Sequence, residues 1–324
     1  RSGLPGGALW KGREAMIACL SLNPCWDKTM TVPQFFLDAP NRVQTLRADV
    51  GGKGVNVARA AAALGAECCL VGQDYQGAPV AAAMAREGVA CYLRPAPGEM
   101  RVNLKIQDQA AGRTLEINES GPLADGELLP AMKALLLAHC PAGGWAALSG
   151  SLPQGLPPES YALLTAALKA AGVHVAVDCD GAALERAVEA GPDVIKPNAQ
   201  EFQRLTGVNP LDRAAALAAC RALHGRGVGL ICLSLGAAGA LLSLPEAAYS
   251  CQAPRVPVRG LQGAGDSMLA GLLTALARGL EPAQALAFAS AAAGASVQRE
   301  GTLLCRRADV EKLLPGLRVE KIRL

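Results

Sequence analysis

The chain has 324 residues, a formal net charge of +3, 51% hydrophobic residues and only 3% aromatic residues. This length supports one large α/β domain or two smaller ones, and the scarcity of aromatic side chains argues against a surface that stacks nucleic-acid bases. The small charge gives no sign of a polyanion partner and no uninterrupted apolar run reaches membrane-spanning length, so we expect neither a nucleic-acid nor a membrane partner.

The first fifteen residues are rich in glycine and show no periodicity. We interpret residues 1–15 as an expression remnant or a loose extension, and not as a signal peptide. Residues 16–20 follow as a first buried strand, and no internal repeat or low-complexity linker interrupts the remainder. We therefore expect residues 16–324 to form a single domain.

Along most of the chain, segments of helical periodicity alternate with short apolar runs that are typical of buried strands. The predicted helices are 55–64, 77–87, 125–139, 158–171, 181–190, 199–206 and 212–226. The predicted strands are 67–72, 145–149, 173–178, 193–196 and 229–235. This order predicts an α/β fold in which helices cover both faces of a mostly parallel sheet.

Two segments, about 26–50 and 99–118, depart from this pattern. They contain threonine, valine and charged residues in rough alternation. Such a period of two predicts a half-exposed antiparallel sheet, which could be a lid over a site. The bare face of a small projecting sheet needs a cover, and we expect a homodimer through this lid.

Eleven cysteines are spread along the chain without a C-x-x-C pair, and only three histidines accompany them. This spacing gives no zinc pattern. Buried free thiols in a reducing compartment are the simplest explanation, so we expect a cytoplasmic protein.

Polar residues stand where predicted strands end. Asp27 lies shortly after the first strand, Ser151 after 145–149, and Asp178 and Lys196 close the next two strands. Ligands of open α/β sheets bind outside the carboxyl ends of the strands. Any one of these residues could belong to an ordinary turn, but four polar strand ends on one rim indicate a site.

A glycine-rich turn leads into the helix predicted over 55–64. It comprises Gly51, Gly52, Lys53 and Gly54, and Asn56 follows on the first helical turn. The Gly-Lys-Ser/Thr spacing of a Walker loop is missing. A plain turn would explain the glycines, but the donors of Lys53 and Asn56 suit sugar hydroxyls or a phosphate, and we favour a binding role.

Arg101 and Asn103 share one face of a predicted lid strand, because side chains alternate along a strand. Exposed charges on strands are usually only solvated. An arginine that faces a closing cleft can nevertheless bind a phosphate through two parallel hydrogen bonds.

Asn198 and Glu201 lie three residues apart on the first turn of the helix predicted over 199–206, and they share a face. The pair could hold water around Mg²⁺, which keeps several waters in proteins. An asparagine N-cap with a glutamate that completes a capping box explains the spacing equally well.

The segment Ser234 to Gly239 ends the strand predicted over 229–235. Gly236 and Gly239 would let a nucleotide approach the backbone closely. An ordinary hairpin turn is the competing interpretation.

The most informative segment combines a glycine turn, a carboxylate and an apolar helix, and it comprises Gly263, Ala264, Gly265 and Asp266. Unpaired N–H groups at a helix N-terminus form an anion site. A carboxylate there would repel a phosphate unless it orients and deprotonates an attacking hydroxyl. An N-cap explains Asp266 equally well from this segment alone.

Three motifs occur in a fixed order: Gly-Gly-Lys-Gly-x-Asn at 51–56, Lys-Pro-Asn-x-x-Glu at 196–201 and Gly-Ala-Gly-Asp-Ser at 263–267. Together with the runs 22–29, 101–106, 116–122 and 149–153, they resemble the ribokinase-like (PfkB) family of carbohydrate kinases. The resemblance runs from about residue 16 to the C-terminus and is strongest to the branch of 1-phosphofructokinases and tagatose-6-phosphate kinases.

The resemblance implies a three-layer α/β/α fold with a β-sheet lid, and phosphoryl transfer from ATP with Mg²⁺ to a phosphorylated ketohexose. It implies that Asp266 is the catalytic base and that the backbone of 263–265 forms an anion hole. Sugar-phosphate binding is implied for Asp27, Gly51, Gly52, Lys53, Asn56, Arg101, Asn103 and Ser151. Nucleotide binding is implied for Lys196, Asn198, Ser234, Gly236 and Gly239, and a role in the Mg²⁺ shell for Asn198 and Glu201.

This chain departs from the family pattern in two places near the expected ATP site. Asp180 adds a negative charge two residues after Asp178, and Arg-Gly-Leu-Gln at 259–262 replaces a Ser-Thr-Val run before the anion hole. We also expect the helix N-terminus to lower the pKa of Asp266.

The substrate expected from the resemblance is fructose 1-phosphate, on the Asp-Lys-Thr run at 27–29 and the Arg-x-Asn-x-Lys run at 101–105. Tagatose 6-phosphate is an alternative, because details of pocket shape determine which sugar binds. A kinase of an unphosphorylated sugar or a nucleoside, and a non-catalytic sugar-phosphate sensor, are more distant alternatives.

Overall fold

Two β-sheets organise the chain in the computed structural model, which describes residues 15–77, 80–301 and 303–323. In these ranges the main sheet contains β1 (Ile17–Ser21), β4 (Cys68–Tyr75), β5 (Ala90–Ala96), β8 (Trp145–Ser149), β9 (His174–Asp178), β10 (Val194–Ile195), β11 (Leu230–Ser234), β12 (Ala240–Leu244), β13 (Ala247–Cys251) and β14 (Val319–Ile322). The small sheet contains β2 (Cys25–Val32), β3 (Thr45–Gly51), β6 (Arg101–Asp108) and β7 (Arg113–Asn118). The interpretation of residues 1–15 falls almost entirely outside the described residues.

Ten α-helices occur in the described ranges: the first seven match the predicted ones with ends that differ by a few residues, the eighth is the apolar helix expected behind residues 263–266, and the last two were not predicted. They are α1 (Lys53–Ala63), α2 (Val80–Arg86), α3 (Leu128–His139), α4 (Ser160–Ala170), α5 (Gly181–Glu189), α6 (Ala199–Thr206), α7 (Arg213–Gly225), α8 (Ala264–Ala277), α9 (Pro282–Val297) and α10 (Arg307–Leu313). None of the helices in the described ranges has both the length and the apolarity to cross a bilayer.

The main sheet runs in the order β14-β13-β12-β11-β10-β9-β8-β1-β4-β5. Neighbouring strands from β11 to β5 are parallel, as the alternation of strands and helices predicts. The strands from β12 to β14 extend the sheet in antiparallel fashion. The alternation of strands and helices did not predict this extension, because no helix separates β12 from β13.

Helices cover both faces of the main sheet. Along β1, Ile17 and Cys19 enter one hydrophobic core and Ala18 and Leu20 enter the other. The first core contains residues of α1, α8, α9 and α10, and the second contains residues of α3, α4, α5 and α7. The predicted three-layer α/β/α architecture is therefore confirmed.

The small sheet, which we call the lid, has the order β3-β2-β6-β7. The prediction of an antiparallel lid is wrong for its central pair, because β2 and β6 are parallel. The reason is topological: β2 and β6 follow β1 and β5, which run in the same direction in the main sheet. After each of these strands the chain turns back and forms an antiparallel partner, β3 beside β2 and β7 beside β6.

The two faces of the lid differ in chemistry. A row of opposed residues across its four strands is apolar, and it comprises Leu46, Met30, Ile106 and Leu115. A row three residues away along the strands has its side chains on the other face and comprises Asp49, Asp27, Asn103 and Asn118. Leu46, Leu115 and Ile117 are 59%, 45% and 52% exposed. One face of the lid is thus polar and the other leaves large apolar side chains open to solvent.

Candidate active site

The polar strand ends meet at one edge of the main sheet, as expected. The strands β1, β8, β9 and β10 are consecutive neighbours, and the polar face of the lid borders the same edge. A cleft of about 610 Å³ opens there, and Lys53, Arg101, Asn103, Ser151 and Glu201 line it. The structure therefore gathers predicted residues from four separate parts of the chain.

Two helices, α1 and α8, begin close together beside this cleft. Gly52 is the N-cap of α1 and Gly263 is the N-cap of α8, and both have positive φ angles of 107° and 70°. One turn into α1, Nδ2 of Asn56 donates a hydrogen bond of 2.8 Å to Oδ2 of Asp266 in α8. Both side chains are buried, so this contact fixes the carboxylate relative to the glycine-rich turn of α1.

The prediction that Asp266 has a lowered pKa is wrong. Burial and, to a smaller extent, the nearby charge of Asp178 raise the pKa of Asp266, which is about 6. Lys53, the hydrogen bond from Asn56 and Lys196 act in the opposite direction and do not compensate. Loss of hydration of a fully enclosed carboxylate outweighs the helix N-terminus, so Asp266 is a stronger base than predicted.

The anion turn, residues 263–265, is partly exposed and precedes the buried Asp266. Its position at the start of α8 leaves backbone N–H groups without partners inside the helix. A Cβ on Gly265 would lie 3.3 Å from Nζ of Lys196, so glycine leaves room for this ammonium group beside the turn. The turn therefore combines N–H donors with a nearby positive charge, which suits a phosphate.

Asp178 lies between two lysines at the end of β9. Its Oδ1 is 3.1 Å from Nζ of Lys53 and its Oδ2 is 3.2 Å from Nζ of Lys196. Burial alone would raise the pKa of Asp178, but Lys196 and Lys53 lower it below its ordinary value. Burial would lower the pKa of Lys53, but Asp178, Glu201 and Asp266 raise it above its ordinary value. Asp178 thus forms ion pairs with both ammonium groups at the rim.

On the lid, Asp27 is buried and bonded within the polar face. Its Oδ1 accepts a hydrogen bond of 3.2 Å from Nδ2 of Asn103 and lies 3.8 Å from Nζ of Lys105. A Cβ on Gly51 would overlap Oδ2 of Asp27, so the carboxylate needs glycine at this position. Asp27, Gly51 and Asn103 are therefore brought together.

Arg101 lies at the start of β6 with its guanidinium group bonded to the wall of the cleft. It donates to the backbone oxygens of Asn23 and Glu119 at 3.1 Å each and to Oδ1 of Asn103 at 3.0 Å. Asn103 lies on the same face, as the period of two predicts. These contacts hold the cation in place before any ligand arrives.

Asn198 and Glu201 form the capping box of α6. Oδ1 of Asn198 accepts from the N–H groups of Gln200 and Glu201, and Oε2 of Glu201 accepts from the N–H of Asn198. The second carboxylate oxygen, Oε1, is 3.8 Å from Nζ of Lys53, and Glu201 lines the cleft. Capping accounts for the spacing, and Oε1 still faces the site.

The segment from Ser234 to Gly239 is the turn between the antiparallel strands β11 and β12. Ser234 pairs with Asn198 in an isolated bridge, so two residues predicted near the nucleotide are neighbours. A Cβ on Gly236 would meet open space, whereas one on Gly239 would overlap the backbone oxygen of Cys251. The segment is a hairpin turn, and both packing and the positive φ angle of 99° require glycine at 239.

A family model described as pfkB family carbohydrate kinase matches residues 20–309, which is most of the chain. The chain belongs to this family. Over 285 residues it is 40% identical to a 1-phosphofructokinase of Rhodobacter capsulatus, which covers 85% of this chain and 88% of that protein. Over 264 residues it is 37% identical to a 1-phosphofructokinase of Xanthomonas campestris pv. campestris, with 79% and 83% covered.

Solved structures of pfkB-like kinases share the fold. Phosphofructokinase-2 of Escherichia coli in complex with potassium superimposes with a TM-score of 0.87 at 26% identity, covering 93% of this chain and 98% of that one. A ribokinase of Thermotoga maritima, at 20% identity and a TM-score of 0.76, shares the fold over 93% of this chain and 99% of its own. As a carbohydrate kinase, this pfkB family member is a phosphotransferase that acts on a sugar hydroxyl, with ATP as the donor.

Sequence reasoning missed several residues of the pfkB-type cleft. One is Lys105, whose Nζ lies 3.8 Å from Oδ1 of Asp27. Its spacing of two residues from Asn103 could have indicated that it shares a face with Arg101 and Asn103. The loop after β7 contributes Glu119 and Ser120 to the cleft wall, and only the resemblance at 116–122 pointed to it. Asp180, the departure from the pfkB pattern, is the exposed N-cap residue of α5 and lines the same cleft.

Proposed function

We propose that this chain is a 1-phosphofructokinase that transfers the γ-phosphoryl group of ATP to a hydroxyl of fructose 1-phosphate. The observation that carries the proposal is the pairing of Asp266 with Asn56 beside the anion turn, at a cleft whose wall includes Arg101 and Lys53. Relatives named 1-phosphofructokinase at 40% and 37% identity support this substrate.

In this mechanism Asp266 binds the attacking hydroxyl and accepts its proton as the new O–P bond forms. A pKa of about 6 leaves the carboxylate ionised at neutral pH and basic enough to accept a proton. The N–H groups of the anion turn and Nζ of Lys196 stabilise the charge on the transferred phosphoryl group. Phosphoryl transfer has a loose transition state, so positioning and charge stabilisation contribute most of the acceleration.

On the lid, Asp27 and Asn103 bind hydroxyls of the sugar, and Arg101 together with Lys53 binds the phosphate that it already carries. Gly51, Gly52 and Asn56 shape the same pocket from the α1 side, and Ser151 completes it from the end of β8. A bidentate guanidinium and a compact ammonium suit a phosphate dianion.

Mg²⁺ would accompany ATP and neutralise charge between its phosphates. The donor set fits contact through water, because Oε1 of Glu201 remains outside the capping box and faces the cleft, and Mg²⁺ retains waters. Asn198 positions Glu201 for this role. Ser234 and Gly236 would border the nucleotide.

We further propose that residues 16–324 form one kinase domain, that the chain works in the cytoplasm, and that two copies associate through the apolar face of the lid. Nine of the eleven cysteines are buried, which suits a reducing compartment. Exposed Leu46, Leu115 and Ile117 provide the apolar contact.

A coupled assay of ADP release tests the substrate. The acceptors are fructose 1-phosphate, fructose 6-phosphate, tagatose 6-phosphate, ribose and a nucleoside, each with MgATP. We expect the highest kcat/KM with fructose 1-phosphate. A higher kcat/KM with tagatose 6-phosphate or with an unphosphorylated acceptor contradicts the proposed substrate, and sugar-phosphate binding without turnover contradicts catalysis.

A further inference from the structure

The residue directly before the anion turn is bonded to the lid. Nε2 of Gln262 donates a hydrogen bond of 3.2 Å to Oε1 of Glu116, which lies 146 residues earlier in the chain. Glu116 belongs to β7, the edge strand of the lid. Gln262 lies within the segment 259–262 that departs from the family pattern, whereas Glu116 begins the run 116–122 that resembles it.

Glu116 ends a row of residues that crosses the whole lid. Strand register places four residues opposite one another in the row, namely Arg47, Thr29, Lys105 and Glu116. This row lies on the polar face, next to the row that contains Asp27 and Asn103. Glu116 and Arg47 are its two ends.

The other end of the row approaches the body of the protein at the loop after α9. Nη1 of Arg47 lies 3.7 Å from the position that a Cβ on Gly301 would occupy. This loop packs against the segment before the anion turn, because a Cβ on Gly260 would lie 3.5 Å from the oxygen of Gly301, and Arg259 and Gly260 donate backbone hydrogen bonds of 2.8 and 3.2 Å to Val297 at the end of α9. The two ends of the lid row therefore meet segment 259–262 and the loop that packs against it.

We propose that Gln262 is a positioning residue that, through Glu116, couples the position of the lid to the geometry of the anion turn. The sugar lies under the lid and the transferred phosphoryl group lies at the turn, so the contact aligns acceptor and donor. This inference rests on the proposed function for its kinetic consequences. The contact itself is independent of which sugar binds.

The coupling predicts that loosening the contact lowers transfer to the sugar and lets water compete for the phosphoryl group, because a closed lid excludes water from the reacting atoms. Gln262 is not among the residues that line the cleft. Its loss should therefore affect kcat more than the KM for ATP.

The kinetic experiment compares Gln262→Ala, Glu116→Ala and the double variant. We expect each single variant to lose about three- to tenfold in kcat, the range for one ordinary intramolecular hydrogen bond, with a higher ratio of ATP hydrolysis to sugar phosphorylation. The double variant should lose no more than either single variant. Glu116→Gln keeps an acceptor and should retain most of the activity.

Gln107→Ala is the matched control, because it removes a hydrogen bond of 3.3 Å from Thr31 that stays within the lid. It should leave kcat and the hydrolysis ratio unchanged. Additive losses in the double variant, or an equal loss in Gln107→Ala, would overturn the coupling.

Hydrogen exchange of the ligand-free protein tests the contact without any activity. Glu116→Ala should speed exchange at residues 262–266, and Gln262→Ala should speed it at 113–118, whereas Gln107→Ala should leave 262–266 unchanged. If the wild-type chain phosphorylates none of the acceptors, the proposed function fails and exchange alone decides the coupling. Unchanged exchange at both segments overturns it.

Discussion

Asn56 and Asp266 are separated by 210 residues, and their side chains meet in a buried hydrogen bond of 2.8 Å. The contact joins the first turns of α1 and α8, two helices that pack against each other and begin at glycine-rich turns. In the proposed function, α1 borders the sugar and the start of α8 borders the transferred phosphoryl group, so the two meet at one carboxylate. The chemistry of the site therefore depends on the state of Asp266.

Replacing Asp266 tests the base directly. We expect Asp266→Asn to lower turnover by at least ~10²-fold, the usual contribution of a positioned general base, while the KM for ATP changes little. Asp309→Asn is the matched control, because Asp309 also lies in the first turn of a helix, α10, but makes its ion pair with Lys312. Steady-state kinetics with fructose 1-phosphate measures both, and near-normal turnover in Asp266→Asn would refute its assignment as the base.

The raised pKa of Asp266 predicts an acid limb in the pH profile. Because the carboxylate must be ionised to accept a proton, kcat/KM should fall as the pH drops through about 6. Asn56→Leu removes the hydrogen bond that lowers this pKa, so the limb should move to higher pH. A limb near pH 4 in the wild-type enzyme, or one that Asn56→Leu leaves in place, would show that Asp266 does not control it.

The same carboxyl should destabilise the fold at neutral pH. Its pKa is about 6 in the folded protein against an ordinary value of 3.8. The buried carboxyl therefore lowers the free energy of unfolding not at all below pH 3.8, where it is protonated in both states, and by the full amount above pH 6. A shift of this size corresponds to about 3 kcal/mol. Asp266→Asn should therefore raise the free energy of unfolding at pH 8 by up to that amount, and by less at pH 5. Denaturant titrations at both pH values measure it, and an equal gain at both would exclude ionisation as the cause.

Arg101 should contribute to the affinity for the sugar phosphate. We expect Arg101→Ala to raise the KM for fructose 1-phosphate by about ten- to hundredfold, as lost hydrogen bonds from a charged group predict, with a much smaller effect on the KM for ATP. Arg94→Ala is the control, because Arg94 pairs with Asp125 at 2.8 Å and does not line the cleft. Equal increases in both KM values would indicate a folding role for Arg101.

Local patterns predicted the layers of this fold well. The alternation of apolar runs and helical periodicity depends on residues close in sequence, and it predicted the parallel part of the main sheet from β11 to β4, although not the edge strand β5. The parallel pairing of β2 with β6 depends on where the chain leaves the main sheet, after β1 and again after β5. Periodicity gives no information about these positions. The hairpin of β12 and β13 has no helix and was missed for the same reason.

The candidate site shows a similar division. The motifs identified Lys53, Asp178 and Asp266 one by one, but not their contacts with one another or with the rest of the site. Lys53 is hydrogen-bonded to Asp178, 125 residues away, and Asp266 to Asn56, 210 residues away. The expected low pKa of Asp266 considered only its own helix. Burial by the rest of the fold reversed the direction of the shift, and a sequence pattern does not measure burial.

The apolar face of the lid should mediate self-association. Leu115 and Ile117 lie two residues apart on β7 and are 45% and 52% exposed, so charges there would be buried without partners in a lid-to-lid contact. We expect Leu115→Glu with Ile117→Glu to shift the protein from dimer to monomer in sedimentation velocity. Leu163→Glu on α4 replaces a residue that is 56% exposed far from the lid and should leave the dimer intact. A wild-type monomer, or a dimer that survives both lid substitutions, would show that this face is not the interface.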